Sequence, residues 1–190
     1  MGFYDEDETA NQYIAMAEGF DGRELITALA AHVPAGARVL EIGMGPGVDL
    51  DMLRPRFQAT GSDFSAFFID RYRALHPDAD LLRLDAVSLQ TDRQFDCIYS
   101  NKVLHHLSEA DLRLSLQRQV GLLGTGGHVL HTFWRGDGMK EMHGLKFFYR
   151  TEAQLRAQFA DHFEIVDLVT YAELDADDSI YVLARKLPAA

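Results

Sequence analysis

The segment Val39-Leu-Glu-Ile-Gly-Met-Gly-Pro-Gly-Val-Asp-Leu50 constrains this chain more than any other stretch. An apolar run, Val39 to Ile42, is interrupted by one acid and stops at Gly43, Gly45 and Gly47, after which a helical pattern begins at Val48. This reads as a strand, a tight turn and a helix start, arranged so that bare backbone can lie against a ligand. A carboxylate inside a buried strand costs on the order of several kcal/mol unless something pairs with it. Glu41 is therefore expected to hold a backbone donor or a bound group.

Around this segment, helical and strand patterns alternate. Residues 8–17 and 22–32 read as helices, the second with Leu25, Ile26, Leu29 and Ala30 at helical spacing. Strands are predicted over 37–42, 59–62, 81–84, 95–100, 128–134, 163–171 and 179–186, and helices over 47–55 and 65–75. Ser108-Glu-Ala-Asp111 and Thr151-Glu-Ala-Gln154 read as capping boxes that open two more helices. Alternation of this kind means an α/β fold, a doubly wound, mostly parallel sheet of seven strands with right-handed crossovers. The last two strands, joined by an acidic turn, add an antiparallel edge hairpin. The stretch 135–149 reads as neither clean helix nor strand; its glycines, methionines and aromatics suggest a loop over an apolar pocket.

Glu41, Asp63 and Asp85 each fall at or near a strand end, at intervals of 22 residues. One interval is a strand, a helix and their loops, so the three acids meet along one edge of the sheet. In open parallel sheets the carboxyl edge is where ligands bind. A carboxylate there can accept two ribose hydroxyls, and one on the next strand an adenine amino group. Acids after strands can also merely cap the following helix.

The pattern apolar-apolar-acid-apolar-Gly-x-Gly-x-Gly resembles the first motif of the class I S-adenosylmethionine (SAM)-dependent methyltransferases. The resemblance covers about residues 36–134 and implies a Rossmann-like fold that binds SAM through Glu41, Gly43, Met44, Gly45 and Gly47. It further implies Asp63 on the ribose, Asp85 with Ala86 on the adenine, Phe64 packing on the ring, and Asn101 beside the transferable methyl. Tyr99-Ser-Asn-Lys-Val-Leu-His-His-Leu107 is similar to the fourth-strand segment of the small-molecule enzymes, which puts His105 and His106 in or under the acceptor pocket. His106, directly before Leu107, is the favoured catalytic group. Lys102-Val103 departs from the Pro-Pro-aromatic sequence of enzymes that methylate base amino groups. In this fold the pre-sheet helices commonly shield the acceptor, so residues 1–35 are expected to cover the site, 36–134 to form the cofactor core, and 135–190 to supply the acceptor side. Tyr13 and Trp134 are candidate pocket residues. The whole chain is expected to be one domain.

Two rival readings follow from the same residues. The dinucleotide fingerprint Gly-x-Gly-x-x-Gly would make this an NAD(P)-dependent oxidoreductase, but its third small residue falls on Val48. A SAM-binding partner subunit without activity would share the cofactor residues and differ only in a sealed acceptor pocket.

Eighteen Lys and Arg against 29 Asp and Glu give a net charge of −11, which argues against nucleic acid as partner. No run approaches the roughly 18 apolar residues of a membrane span. The acidic N-terminus does not read as a signal peptide, and one cysteine, Cys97 in an apolar strand, excludes an internal disulfide and suits the cytoplasm. No metal-ligand spacing occurs. Acidic clusters at 5–8 and 173–178 suggest a small-molecule acceptor that is neutral or cationic. Oligomeric state is not legible.

Overall fold

The computed structural model describes residues 19, 21–142 and 144–188. The helix expected over 8–17, the acidic cluster at 5–8 and Tyr13 lie outside them.

The described residues form nine strands: β1 (Arg38–Ile42), β2 (Gln58–Asp63), β3 (Asp80–Arg83), β4 (Phe95–Ser100), β5 (Leu123–Trp134), β6 (Met139–Met142), β7 (Leu145–Phe148), β8 (Phe163–Tyr171) and β9 (Ser179–Lys186). They also form five α-helices: α1 (Arg23–Ala30), α2 (Val48–Leu53), α3 (Ala66–Leu75), α4 (Glu109–Leu122) and α5 (Glu152–Phe159). Seven strands make one sheet in the order β3-β2-β1-β4-β5-β9-β8. β3, β2, β1, β4 and β5 run parallel, and β9 lies antiparallel between β5 and β8. The order reverses between β1 and β4, so a crevice opens beyond their carboxyl ends, where open α/β sheets place ligands.

Both faces of the central strands are buried, which is why they read as nearly continuous apolar runs. Leu40, Ile98 and Val129 point to one side, into a core with Leu112 and Leu116 of α4 and Leu155 and Phe159 of α5. Val39, Cys97 and Leu130 point to the other, against Leu25, Ile26 and Leu29 of α1 and Leu53 of α2. Cys97 is fully buried, as its strand position predicts, and burial raises its thiol far above the ordinary range. Glu41 projects from the same side as Val39, toward α1 and α2.

The structure departs from the sequence reading in two places. β5 starts at Leu123, which pairs with Phe95 before the register shifts and resumes at Cys97 and His128. Gly124 to Gly127, ahead of the expected start at 128, are an irregularity within the strand. The supposed loop after β5 contains a hairpin: β6 and β7 pair antiparallel, Met139 with Phe148 through Met142 with Leu145. Gly144, at φ 77°, supplies the left-handed residue that a tight hairpin turn requires. Among the described residues no helix is long and apolar enough to cross a membrane.

Candidate functional site

The turn after β1 brings the predicted acids together. Gly43, Gly45 and Gly47 have φ of 69°, 50° and 92°, the left-handed region that residues with a Cβ avoid. A Cβ on Gly43 would lie 2.5 Å from Val103, and one on Gly47 2.2 Å from the Tyr72 ring. These two glycines are thus required by protein packing against protein, an origin that the motif alone does not reveal. Asp63, ending β2, folds back on the turn: Gly45 N–H donates to its Oδ2 at 2.9 Å and Ser65 N–H to its Oδ1 at 2.8 Å.

Glu41 is 3% exposed, and its Oε2 has no hydrogen-bond partner among the described residues. Burial, and then the charges of Asp49, Asp63 and Asp51, push its carboxyl well above the usual range. Among the described residues no backbone donor meets that oxygen. Asp49, given no role from sequence, is 7% exposed. Its carboxylate accepts from Gly22 N–H at 2.7 Å, the Tyr99 hydroxyl at 2.7 Å and the Asn101 side-chain amide at 3.1 Å. Asn101 in turn accepts from the Thr132 hydroxyl at 2.8 Å, so both ends of its amide are fixed beside the crevice.

Met44 lies in the same turn. Its side chain is packed with Leu50, Ile69 and Tyr72, its N–H donates to Ser62 O and its C=O accepts from Gly47 N–H. The second lone pair of that carbonyl is all its backbone has left to offer a ligand. Farther along the edge, Phe64 is 53% exposed, with the Arg83 guanidinium 5.7 Å from its ring. Asp85 is exposed, and its Oδ1 caps the turn by accepting from Val87 and Ser88 N–H. The next residue, Ala86, is held by a relay absent from the sequence reading. Ser100 Oγ meets His131 Nδ1 at 2.8 Å, His131 Nε2 meets Gln119 Oε1 at 2.8 Å, Gln119 donates to Ser115 Oγ, and Ser115 Oγ donates to Ala86 O at 2.6 Å. Because Gln119 Oε1 can only accept, His131 carries its proton on Nε2. Full burial lowers its pKa to about 3.

On the other side of the crevice, a 3-10 turn, Leu104–His106, follows β4. His105 is 2% exposed, and neither ring nitrogen has a partner among the described residues. Its ring lies 5.3 Å from that of Phe147, nearly parallel, and 6.2 Å from Trp134. His106 is half-buried, with Nδ1 2.8 Å from the Lys146 carbonyl of β7. A carbonyl only accepts, so Nδ1 bears the proton and Nε2 keeps its lone pair. Burial lowers the His106 pKa, and the bond to Lys146 O partly offsets this. Of adjacent histidines, one packs and one keeps an accepting nitrogen, as their alternate directions require.

Lys102, unassigned from sequence, closes this side. It sits at φ 54°, and its Nζ lies 3.5 Å from the Trp134 ring centroid, 3.2 Å from Glu173 and 2.6 Å from Ser179 Oγ. Burial lowers its pKa to about 8 despite Glu173. The acidic 173–178 turn emerges at the carboxyl edge as expected. Glu173 pairs with Lys102, and Asp178 accepts from the N–H groups of Glu173, Leu174 and Asp175, while Asp175 and Asp177 are exposed. Among the described residues no group of three or more His, Cys, Asp or Glu is placed to hold a metal.

A family profile described as "Methyltransferase domain" matches residues 39–127, the span from Val39 through the glycine turn to the start of β5. The 1,6-didemethyltoxoflavin-N1-methyltransferase of Burkholderia thailandensis superimposes with a TM-score of 0.74 at 22% identity, covering 94% of this chain and 87% of its own. Residues 39–127 thus match the methyltransferase-domain pattern, on a fold shared with solved SAM-dependent methyltransferases. Among curated relatives, the highly reducing polyketide synthase otaA of Aspergillus carbonarius is 34% identical over 125 residues. The phosphatidylethanolamine N-methyltransferase of Cereibacter sphaeroides is 32% identical over 117 residues. Those matches cover 53% and 57% of this chain, but only 5% and 58% of the relatives. The chain thus spans a small part of the first relative and little over half of the second.

Proposed function

We propose that this chain transfers a methyl group from SAM to a small-molecule acceptor by in-line displacement. The observation that carries the reading is Glu41: a buried carboxylate oxygen without a partner, at the glycine turn, with Asp49 close enough to raise its pKa further. No Lys or Arg is bonded to either among the described residues. That field suits a ligand bearing a sulfonium and an ammonium. It opposes a dinucleotide, whose pyrophosphate would meet Asp49 and Asp51 in the first turn of α2, where a phosphate needs free N–H groups and no competing anion.

SAM supplies an already activated methyl on a positively charged sulfur. Glu41 faces its cationic end, and the backbone of Gly43, Gly45 and Gly47 approaches its methionine portion. Asp63 accepts from the ribose, Phe64 covers the adenine face, and Asp85 with Ala86 binds the adenine edge. Asn101, clamped between Asp49 and Thr132, sets the floor beside the methyl. The need at the acceptor is placement of its nucleophilic atom in line with the methyl, a proximity effect. His106 takes a proton at Nε2 from a hydroxyl or ammonium acceptor, its tautomer fixed by Lys146 O. Trp134, and Tyr13 from the segment before the sheet, enclose the acceptor. Support for a small-molecule acceptor comes from the Burkholderia neighbour, whose structure holds 1,6-didemethyltoxoflavin with S-adenosylhomocysteine. The cytoplasm suits the lone buried thiol.

Calorimetry tests the reading. SAM and S-adenosylhomocysteine are expected to compete for one site, NAD(H) not to bind, and Asp63→Ala to weaken SAM by about 2–4 kcal/mol. Tighter binding of NAD(H) than of SAM would overturn it. Methyl transfer to any acceptor separates an enzyme from a silent SAM-binding subunit.

A further inference from the structure

Two buried, chemically capable side chains near the 3-10 turn have no function in the reading above. Arg150, the residue after the β6–β7 hairpin and its Tyr149, is 3% exposed. Its Nη2 donates to Leu107 O at 2.6 Å and its Nη1 to Phe148 O at 3.1 Å, with the Phe133 and Phe148 rings 5.5 and 5.8 Å from the guanidinium carbon. Carbonyls satisfy N–H groups but do not neutralise a charge. Buried guanidinium groups ordinarily have a carboxylate partner, and none is bonded to this one among the described residues. Glu109, the acid acting on it, sits in an exposed pair with Arg113. Burial lowers the Arg150 pKa to about 10, the mark of an uncompensated cation.

His105 is the second. Both its nitrogens are buried without partners among the described residues, and burial, then the neighbouring His106, Lys102 and Arg150, holds it neutral. A buried imidazole that makes no hydrogen bond calls for a missing partner. Neutral imidazole offers one N–H and one lone pair. The surrounding segment has the matching charge: residues 135–150 contain Arg135, Lys140, Lys146 and Arg150 against Asp137 and Glu141, in a chain of net charge −11.

We propose that Arg150 and His105 form an anion subsite of the acceptor pocket, so that the acceptor is a carboxylate-bearing small molecule. Arg150 supplies the counter-charge, the His105 N–H donates to a carboxylate oxygen, and the other His105 nitrogen accepts from a hydroxyl or N–H of the same molecule. This rests on the methyltransferase reading, and it replaces the neutral or cationic acceptor suggested by the acidic clusters. The β6–β7 hairpin, whose Phe147 covers both histidines, forms the outer wall.

Matched acids and amides test the proposal: benzoate against benzamide, salicylate against salicylamide, and succinate against succinamide. Each is titrated by calorimetry into the protein with and without S-adenosylhomocysteine. At least one acid is expected to bind tenfold or more tightly than its amide. Arg150→Met and His105→Phe should erase that preference while SAM affinity stays within threefold. Should Arg150→Met fail to fold, Arg150→Lys keeps the charge and loses the fork, and is expected to weaken the acid at least threefold without affecting the amide. No acid preferred over its amide, or a preference that survives Arg150→Met or Arg150→Lys, overturns the subsite. Loss of SAM binding by the wild type would refute the cofactor reading alone, since acid selectivity is measured without it.

Discussion

At the scale of single residues, the acids of the glycine turn were legible, but their states were not. The position of Glu41 in an apolar strand announces a buried carboxylate; how far its carboxyl is raised depends on that burial and then on where the fold sets Asp49, Asp63 and Asp51. If Glu41 meets the cationic end of SAM, Glu41→Gln should weaken SAM by about 1.5–3 kcal/mol, the range for hydrogen bonds to charged groups. SAM affinity in the wild type should rise as pH climbs above the ordinary carboxyl range, because the raised Glu41 carboxyl must ionise to bind a cation, and the Gln variant should lose that slope in calorimetry. The same shift has a stability counterpart. With its folded-state pKa raised, Glu41 supports the cofactor-free fold below the ordinary carboxyl range and ceases to as pH climbs, so Glu41→Gln should flatten that decline in urea unfolding. Gly47 makes a different point. The motif assigns it to a ligand, but Gly47→Ala would put a Cβ 2.2 Å from Tyr72 at φ 92°. A loss of about 1–3 kcal/mol in thermal unfolding is expected before any cofactor is added.

At the scale of elements, all seven strands of the main sheet were legible because two-sided burial writes itself as apolar runs between turn signals. The β6–β7 hairpin was not. Met139-Lys-Glu-Met142 and Leu145-Lys-Phe-Phe148 have no clean alternation, and β6 is exposed throughout, so no buried face imposes a period of two. Its importance lies in contacts about 40 residues back along the chain, Lys146 O on His106 and Phe147 on both histidines. Burial beneath the hairpin is the main cause of the lowered His106 pKa. Phe147→Ala should therefore raise that pKa toward 6.5, as followed by nuclear magnetic resonance of the ring protons, at a stability cost of about 2 kcal/mol. A His106 titration unmoved by the substitution would show that the hairpin does not set it. Lys102, Asp49 and Arg150 went unread for the same reason as the hairpin: each acquires meaning from partners 27 to 77 residues away.

At the scale of the whole molecule, the buried relay Ser100–His131–Gln119–Ser115 crosses from β4 and β5 to α4 and ends on Ala86. His131 is neutral in the fold, with a pKa of about 3 against roughly 6.5 unfolded. A depressed base pKa means that the unfolded chain binds the extra proton. Stability from this site is present above about pH 6.5 and is lost as pH falls toward 3. Urea unfolding between pH 7 and 4 should show that decline, and His131→Gln, although less stable at pH 7, should show a shallower one. The division of the crevice also has a consequence for how specificity can change. The proposed cofactor wall is written almost continuously between Glu41 and Ala86, while the acceptor wall is assembled from residues 101–107, 132–150 and 171–179. Exchanging the hairpin segment for that of another family member would then trade one substrate for another and leave the methyl donor in place. A chain built this way can diversify by grafting, one wall inherited and the other replaced.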